Sequence, residues 1–172
     1  MAKIELILPS LVMLVALLGC ESKSRTEEGR AQYIRVYDKS EILSDSEERQ
    51  LNSLIQQLET DVGSQLAVII IDSLDGKDIN QYSLKKAREM NLGRAKFNDG
   101  ILLTFVYKEH NIRIEVGAGL EKIIKDEVVG RIIRDLMVPK FKEQKFFDGI
   151  ANAVRELSRL IEENKGLIGQ TP

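Results

Sequence analysis

Two short polar breaks carry the oxygen atoms that chemistry in this chain would draw on. One is Asn98-Asp99-Gly100, just ahead of an apolar run; the other is Gly117-Ala118-Gly119, followed by Glu121, at the end of a shorter alternating run. If the two runs are neighbouring antiparallel strands, the start of one and the end of the other share one edge of a sheet. Asn98, Asp99, Gly117, Gly119 and Glu121 then converge there. Oxygen donors without imidazole or thiolate suit a hard cation, calcium or magnesium. The chain has one His and one Cys, which argues against zinc or copper. The plainer alternative is a turn followed by a strand exit, since Asn, Asp and Gly are ordinary turn formers.

A second group of candidates is less specific. Asp72, Asp75 and Asp78 follow a β-branched run, where open α/β sheets usually place ligands, and Asp38 could approach the same end. Their spacing matches neither a twelve-residue calcium loop nor a two-metal signature, so turn and cap roles suit them better. Arg113 and Glu115 share one face of a strand, and Arg131 and Arg134 share a helix face. Together they suit a phosphate clamp or, more conservatively, an ion network. His110 falls in a loop of hairpin length, which leaves no Ser-His-Asp arrangement to assemble. Gly117-Ala118-Gly119 lacks the third glycine of a dinucleotide fingerprint and no P-loop occurs, so no organic cofactor is expected.

The elements that must position these groups alternate. Ser44-Asp45-Ser46-Glu47 is a capping box, and Leu51, Leu54, Ile55, Leu58 and Val62 follow at helical spacing up to Gly63. Residues 65–71 (QLAVIII) are a continuous apolar run, as expected of a strand covered on both faces. Asp78 can cap a second helix through Met90. Residues 101–106 read as another covered strand, and Ile112, Ile114 and Val116 alternate with Arg113 and Glu115 as a less covered one. Two helices close the pattern, at 126–138, ended by Pro139, and at 147–163. Strand, helix, strand implies a right-handed parallel crossover, with a hairpin adding one antiparallel strand. The fold class is α/β, a small α/β/α sandwich.

Leu17-Leu18-Gly19-Cys20 ends an apolar run that starts at Leu6 and resembles a bacterial lipobox. Cleavage before Cys20 would leave an acylated first residue and 153 of the 172 residues. The run is shorter than the roughly 20 residues a spanning helix needs. Lys3 and Glu5 leave together, so the net charge of −2 is unchanged. That near balance, 25 basic against 27 acidic side chains, gives no footprint for nucleic acid. Residues 21–30 are charged, lack apolar residues and read as a tether; 164–172 read as a fraying tail.

Five motifs then resemble, in order, the TPM domain family: Val36-Tyr37-Asp38 ahead of Ile42-Leu43-Ser44, Gly63-Ser64-Gln65-Leu66-Ala67-Val68, Asn98-Asp99-Gly100-Ile101, Arg113-Ile114-Glu115-Val116-Gly117-Ala118-Gly119, and Gly130-Arg131-Ile132-Ile133. The resemblance implies a three-layer α/β/α sandwich around a mixed sheet of about four strands, one more than the residue pattern alone supplies. It also implies an extracytoplasmic setting. Some members of the family are acid phosphatases and some bind calcium, while others act in assembly, repair or receptor modulation. Members often read Asp-Asn-Gly where this chain has Asn98-Asp99-Gly100, which changes the ligand order of the turn.

These readings define a set of expectations. Residues 1–19 are a lipoprotein signal peptide, 20–32 a lipid-anchored tether, 33–163 a TPM domain and 164–172 a flexible tail. The protein is expected to be a monomeric envelope lipoprotein, extracytoplasmic, lipidated at Cys20 and held to a membrane by lipid. It would act as a binding, assembly or repair module on an unidentified envelope protein and be modulated by calcium (or magnesium) at Asn98, Asp99 and Glu121. Asp38, Arg113, Glu115, Gly117, Gly119 and Arg131 are the further candidate site residues. The alternative is a metal-dependent phosphatase acting on phosphomonoesters, less favoured because no nucleophile with its base can be named.

Overall fold

The computed structural model describes residues 34–170, so Cys20, the signal segment and the tether lie outside the described residues. The first strand is β1 (Val36–Asp38), three residues long and the one that the residue pattern alone does not supply. It leads into helix α1 (Asp45–Asp61). The Ser44 hydroxyl accepts from the Glu47 N–H at 3.3 Å, and the Glu47 carboxylate accepts from the Ser44 N–H at 2.8 Å. One amide of the first turn and the cap's own N–H are thereby satisfied. Then come β2 (Gln65–Ile71), α2 (Ile79–Glu89), whose Asp78 cap accepts from the Gln81 N–H, β3 (Gly100–Val106) and β4 (Asn111–Val116). A 3-10 turn (Ala118–Leu120) leads to α3 (Asp126–Arg131), a π-helix (Ile132–Met137), α4 (Val138–Lys142) and α5 (Phe146–Glu163).

The sheet order is β1-β2-β3-β4, with β1, β2 and β3 parallel and β4 antiparallel to β3. Alternate residues feed two cores, which is the period-2 consequence of the pleat. Leu66, Val68, Ile70, Ile101, Leu103, Phe105 and Ile114 face the layer built by α1 and α5. Ala67, Ile69, Ile71, Leu102 and Val106 face α2. The α5 stripe expected from the sequence, Ile150, Val154, Leu157 and Ile161, is fully buried. Each such side chain contributes about 1.5–3 kcal/mol relative to exposure. A buried hydrogen bond from Ser83 to Thr104, 2.9 Å, pins α2 to β3. The fold is the expected three-layer α/β/α sandwich.

One local expectation is corrected. Pro139 does not end the helix that begins at Asp126. The chain widens into the π-helix, where the Val138 N–H donates to the Ile133 carbonyl five residues back, and Pro139 then sits in the first turn of α4. A proline there costs little, because its missing N–H is one the first turn leaves unpaired. Lys165–Leu167 forms a 3-10 turn, and the Gly169 N–H donates to the Gly119 carbonyl at 2.9 Å.

Candidate functional site

The corner where β3 begins and β4 ends is built by two facing backbone segments. Register places Ile101 beside Val116, so residues 97–100 and 117–120 face each other as expected. The approach is between main chains. A Cβ on Gly117 would collide with the Asn98 carbonyl, and one on Gly119 with the Phe97 carbonyl. The Gly119 N–H donates to the Asn98 carbonyl at 3.0 Å, and the Gly117 N–H to the Gly100 carbonyl at 2.8 Å. These two glycines therefore serve close backbone packing.

Asp99 turns inward. Its side chain is fully buried, and one carboxylate oxygen accepts from Arg94 Nε at 2.8 Å, Arg94 Nη2 at 2.5 Å and the Ser64 hydroxyl at 3.1 Å. The other accepts from the Arg94 backbone N–H at 2.8 Å. The Arg94 guanidinium also lies 4.2 Å over the Phe97 ring and fills the space beside Gly63. Asn98, with φ 50°, and Glu121 are exposed on the outer side of the corner. Asp99 thus makes an internal ion pair that engages both of its carboxylate oxygens. Among the described residues no group of three or more Asp, Glu, His or Cys is placed to hold a metal. Ser64 and Arg94, the residues that define this corner, were not singled out from the sequence. Gly63-Ser64 after a helix and an arginine five residues before Asp99 are the signal available for them.

The remaining candidates are dispersed. Asp38 accepts from the backbone N–H groups of Ser40 and Leu43 at 2.9 and 2.8 Å, closing the turn into α1. Glu48, nearby, has its carboxyl raised above the usual range by burial and by the charges of Asp38 and Asp45. Asp72 pairs with Lys108 at 3.5 Å and Asp78 caps α2. At the same end of the sheet Glu109 accepts from the Ser73 hydroxyl at 2.7 Å and the Leu74 N–H at 3.1 Å, which hold its carboxyl below the usual range.

Arg113 donates to Glu115 through Nε and Nη2 at 3.0 and 2.8 Å. Its partner in the ladder is Thr104, whose hydroxyl bonds Ser83 of α2, so this pair lies on the α2 side. Arg131 lies in the opposite layer, beside Glu156 of α5. Glu156 is held low by Arg159 and, more weakly, by Arg131. The structure does not bring Arg113 and Arg131 together, and Arg134 pairs with Asp135 at 2.7 Å. His110 is exposed in the β3–β4 hairpin. Between α1 and α5 runs a shallow groove of about 380 Å³ lined by Ser46, Arg49, Gln50, Ser53, Gln57 and Arg155 among others. It offers two guanidiniums, amides and hydroxyls, with no carboxylate or imidazole.

Residues 36–160 match the model of the TPM domain. Three solution structures are similar. The N-terminal domain of a protein from P. gingivalis is 28% identical, with a TM-score of 0.72 over 79% of this chain and 87% of that one. The BA42 protein of the psychrophilic bacterium Bizionia argentinensis is 15% identical, with a TM-score of 0.64 over 73% of this chain and 86% of that one. The N-terminal domain of the cg2496 protein of Corynebacterium glutamicum is 12% identical, with a TM-score of 0.58 over 86% and 88%. The last two are likenesses of fold alone. None of the curated proteins matches this chain.

Proposed function

The chain belongs to the TPM domain family, and we propose that it works as a binding or assembly module held at a bacterial envelope membrane by lipid on Cys20, not as a hydrolase. One observation carries the reading: the Asp99 carboxylate, the best candidate to hold a cation or activate water, has both oxygens bonded to Arg94 and Ser64 inside the protein. Hydrolysis of a phosphomonoester needs charge stabilisation together with an activated nucleophile. Arg113 is bonded to Glu115, Arg131 stands on the other side of the sheet, and His110 is exposed in the hairpin loop against the Tyr107 ring. The α1–α5 groove, with its guanidiniums and amides, is suited to docking an anionic segment of a partner protein.

Two measurements test this reading. Full-length protein and Cys20→Ser are compared for size and membrane fractionation. Acyl chains attach a protein at about 0.8 kcal/mol per buried methylene, so the variant should leave the membrane fraction or accumulate unprocessed. Wild-type size and location for Cys20→Ser would remove the anchor from the proposal. A generic phosphomonoester is then offered with and without chelator. Chelator-sensitive turnover of about one per second or more would make the phosphatase reading the correct one.

A further inference from the structure

The outer face of the α1–α5 layer carries two cations that the fold leaves without a counter-ion. Arg49 of α1 and Arg155 of α5 both line the groove of about 380 Å³ between the two helices. Among the described residues neither guanidinium has a carboxylate within ion-pair distance. Asp45 stands four residues before Arg49, at the spacing of a helical ion pair, and is not bonded to it. The side chain of Arg155 reaches the Asn152 amide oxygen at 3.4 Å. Arg159, one turn further along α5, shows the contrast, since it is bonded to both Glu156 and Glu163. Two like charges lining one groove repel each other, and an anion between them relieves the repulsion. α1 and α5 hold no lysine. Each cation of these helices is therefore a planar fork of the kind that binds carboxylate through paired N–H groups.

We propose that this groove takes an extended acidic segment of a partner protein, with a carboxylate held between Arg49 and Arg155 and an apolar side chain after it resting on Leu54. The inference rests on the reading of the chain as a binding module and names the chemistry of what is bound. The shape favours a chain over a compact anion. Ser46 and Gln57 mark the two ends of the α1 wall. At 1.5 Å of rise per residue they lie about 16 Å apart, the length of about five extended residues. Past Arg155 the groove continues into a recess of about 170 Å³ walled by Leu54, Leu58 and Ser158 among others. The lining favours a peptide over a phosphate. Gln57, shared by groove and recess, carries an amide that both donates and accepts, as a peptide backbone does, whereas a phosphate dianion only accepts. The Ser158 hydroxyl is withdrawn from solvent and has no hydrogen-bond partner. A backbone group entering the recess supplies one. Glu162 stands at the far end of the recess, so the bound segment is acidic toward Arg49 and uncharged toward Leu58.

The test uses residues 32–172, a compact unit whose two cores are complete within it; the similar P. gingivalis domain is itself folded in solution. An end-capped peptide, Gly-Glu-Glu-Ala-Leu-Ala-Gly, is titrated to millimolar concentration against isotopically labelled protein, and the amide signals are followed by NMR. Shifts should gather on residues 46–58 and 152–162 and saturate. The same peptide with both Glu replaced by Gln should leave those signals in place. R49E and R155E should each weaken binding at least about threefold, and the double variant at least about tenfold, because each sets a like charge against the peptide. The Lys-Lys version of the peptide should bind the double variant and not the wild type, a reversal that loss of fold cannot mimic. Inorganic phosphate at equal concentration should move the signals less than the acidic peptide does. No saturable shift on the two helices, equal binding by the Gln peptide, or phosphate binding as tightly as the peptide would each overturn the proposal. So would groove signals already at their peptide-bound positions in protein beginning at Glu21, which would give the groove to the chain's own tether. Signals that move with protein concentration alone would give it to a second copy and overturn the proposal equally. None of these outcomes touches the Cys20 anchor or the phosphomonoester assay, which stand or fall on their own measurements.

Discussion

Replacing Asp99 by Ala separates an internal strut from a cation ligand. In the native corner one carboxylate serves the Arg94 guanidinium, the Arg94 backbone N–H and the Ser64 hydroxyl. Ser64 is fully buried, so its hydroxyl loses its acceptor without gaining water, at about 1–3 kcal/mol. The Arg94 backbone N–H loses an acceptor on similar terms. The ion pair adds less than a buried pair would, because the Arg94 side chain is 35% exposed and water takes over part of its charge. The expected loss is about 2–4 kcal/mol in metal-free protein. Asp99→Asn keeps an acceptor for the Arg94 N–H and should cost about half as much. Urea unfolding followed by circular dichroism reads both variants, with slopes compared to verify that the midpoint shift reports stability. A cation ligand would behave the other way, leaving metal-free stability nearly unchanged and abolishing a calcium-induced shift. If metal-free Asp99→Ala unfolds at the wild-type midpoint, the strut reasoning is wrong.

Gly119→Ala places a methyl group against the Phe97 carbonyl, so the 97–100 and 117–120 segments must separate; a loss of about 1–3 kcal/mol is expected, and an unchanged urea midpoint would contradict it. Glu109 gives a pH signature. Its carboxyl is held below its ordinary value of 4.5, first by Ser73 and also by the Leu74 N–H, so its contribution is present above the unfolded pKa and fades as pH falls through the lower folded one. Glu109→Gln should therefore show a shallower loss of stability below about pH 4.5 than wild type, and coincident acid limbs would refute the assignment.

The elements that carry hydrophobic period were legible before the structure: the capping box at Ser44, the covered strands β2 and β3, the alternating β4, and the stripe of α5. What the residues alone hid has specific causes. β1 is three residues with one inward side chain, Val36, too short to show a period, and only the resemblance to the family supplied it. Pro139 reads as a helix stop because sequence rules assume α-helical spacing, whereas the π-helix before it offsets the backbone pairing. The β3–β4 corner was legible from topology, but the burial of Asp99 was not. Asn-Asp-Gly reads as a surface turn, and only the ion pair with Arg94, five residues upstream and bent back by the intervening loop, draws Asp99 into the interior. Gly117 and Gly119 looked like room for a ligand, and that room is filled by two carbonyls of the same chain.

The order in which the strands lie has a consequence for how the chain acquires its structure during synthesis. Sheet order equals chain order, and the one hairpin among the described residues, β3–β4, comes after both parallel pairs. A ribosome therefore releases β1, α1 and β2 before any antiparallel partner exists to seed the sheet. The apolar faces of Leu66, Val68 and Ile70 also wait for Ile150, Val154 and Leu157, which lie in the final long helix. Parallel pairing carries a loop-closure cost that only later contacts repay. The layer built by α1 and α5 is therefore completed only after α5 has emerged, whereas the α2 layer is complete before it.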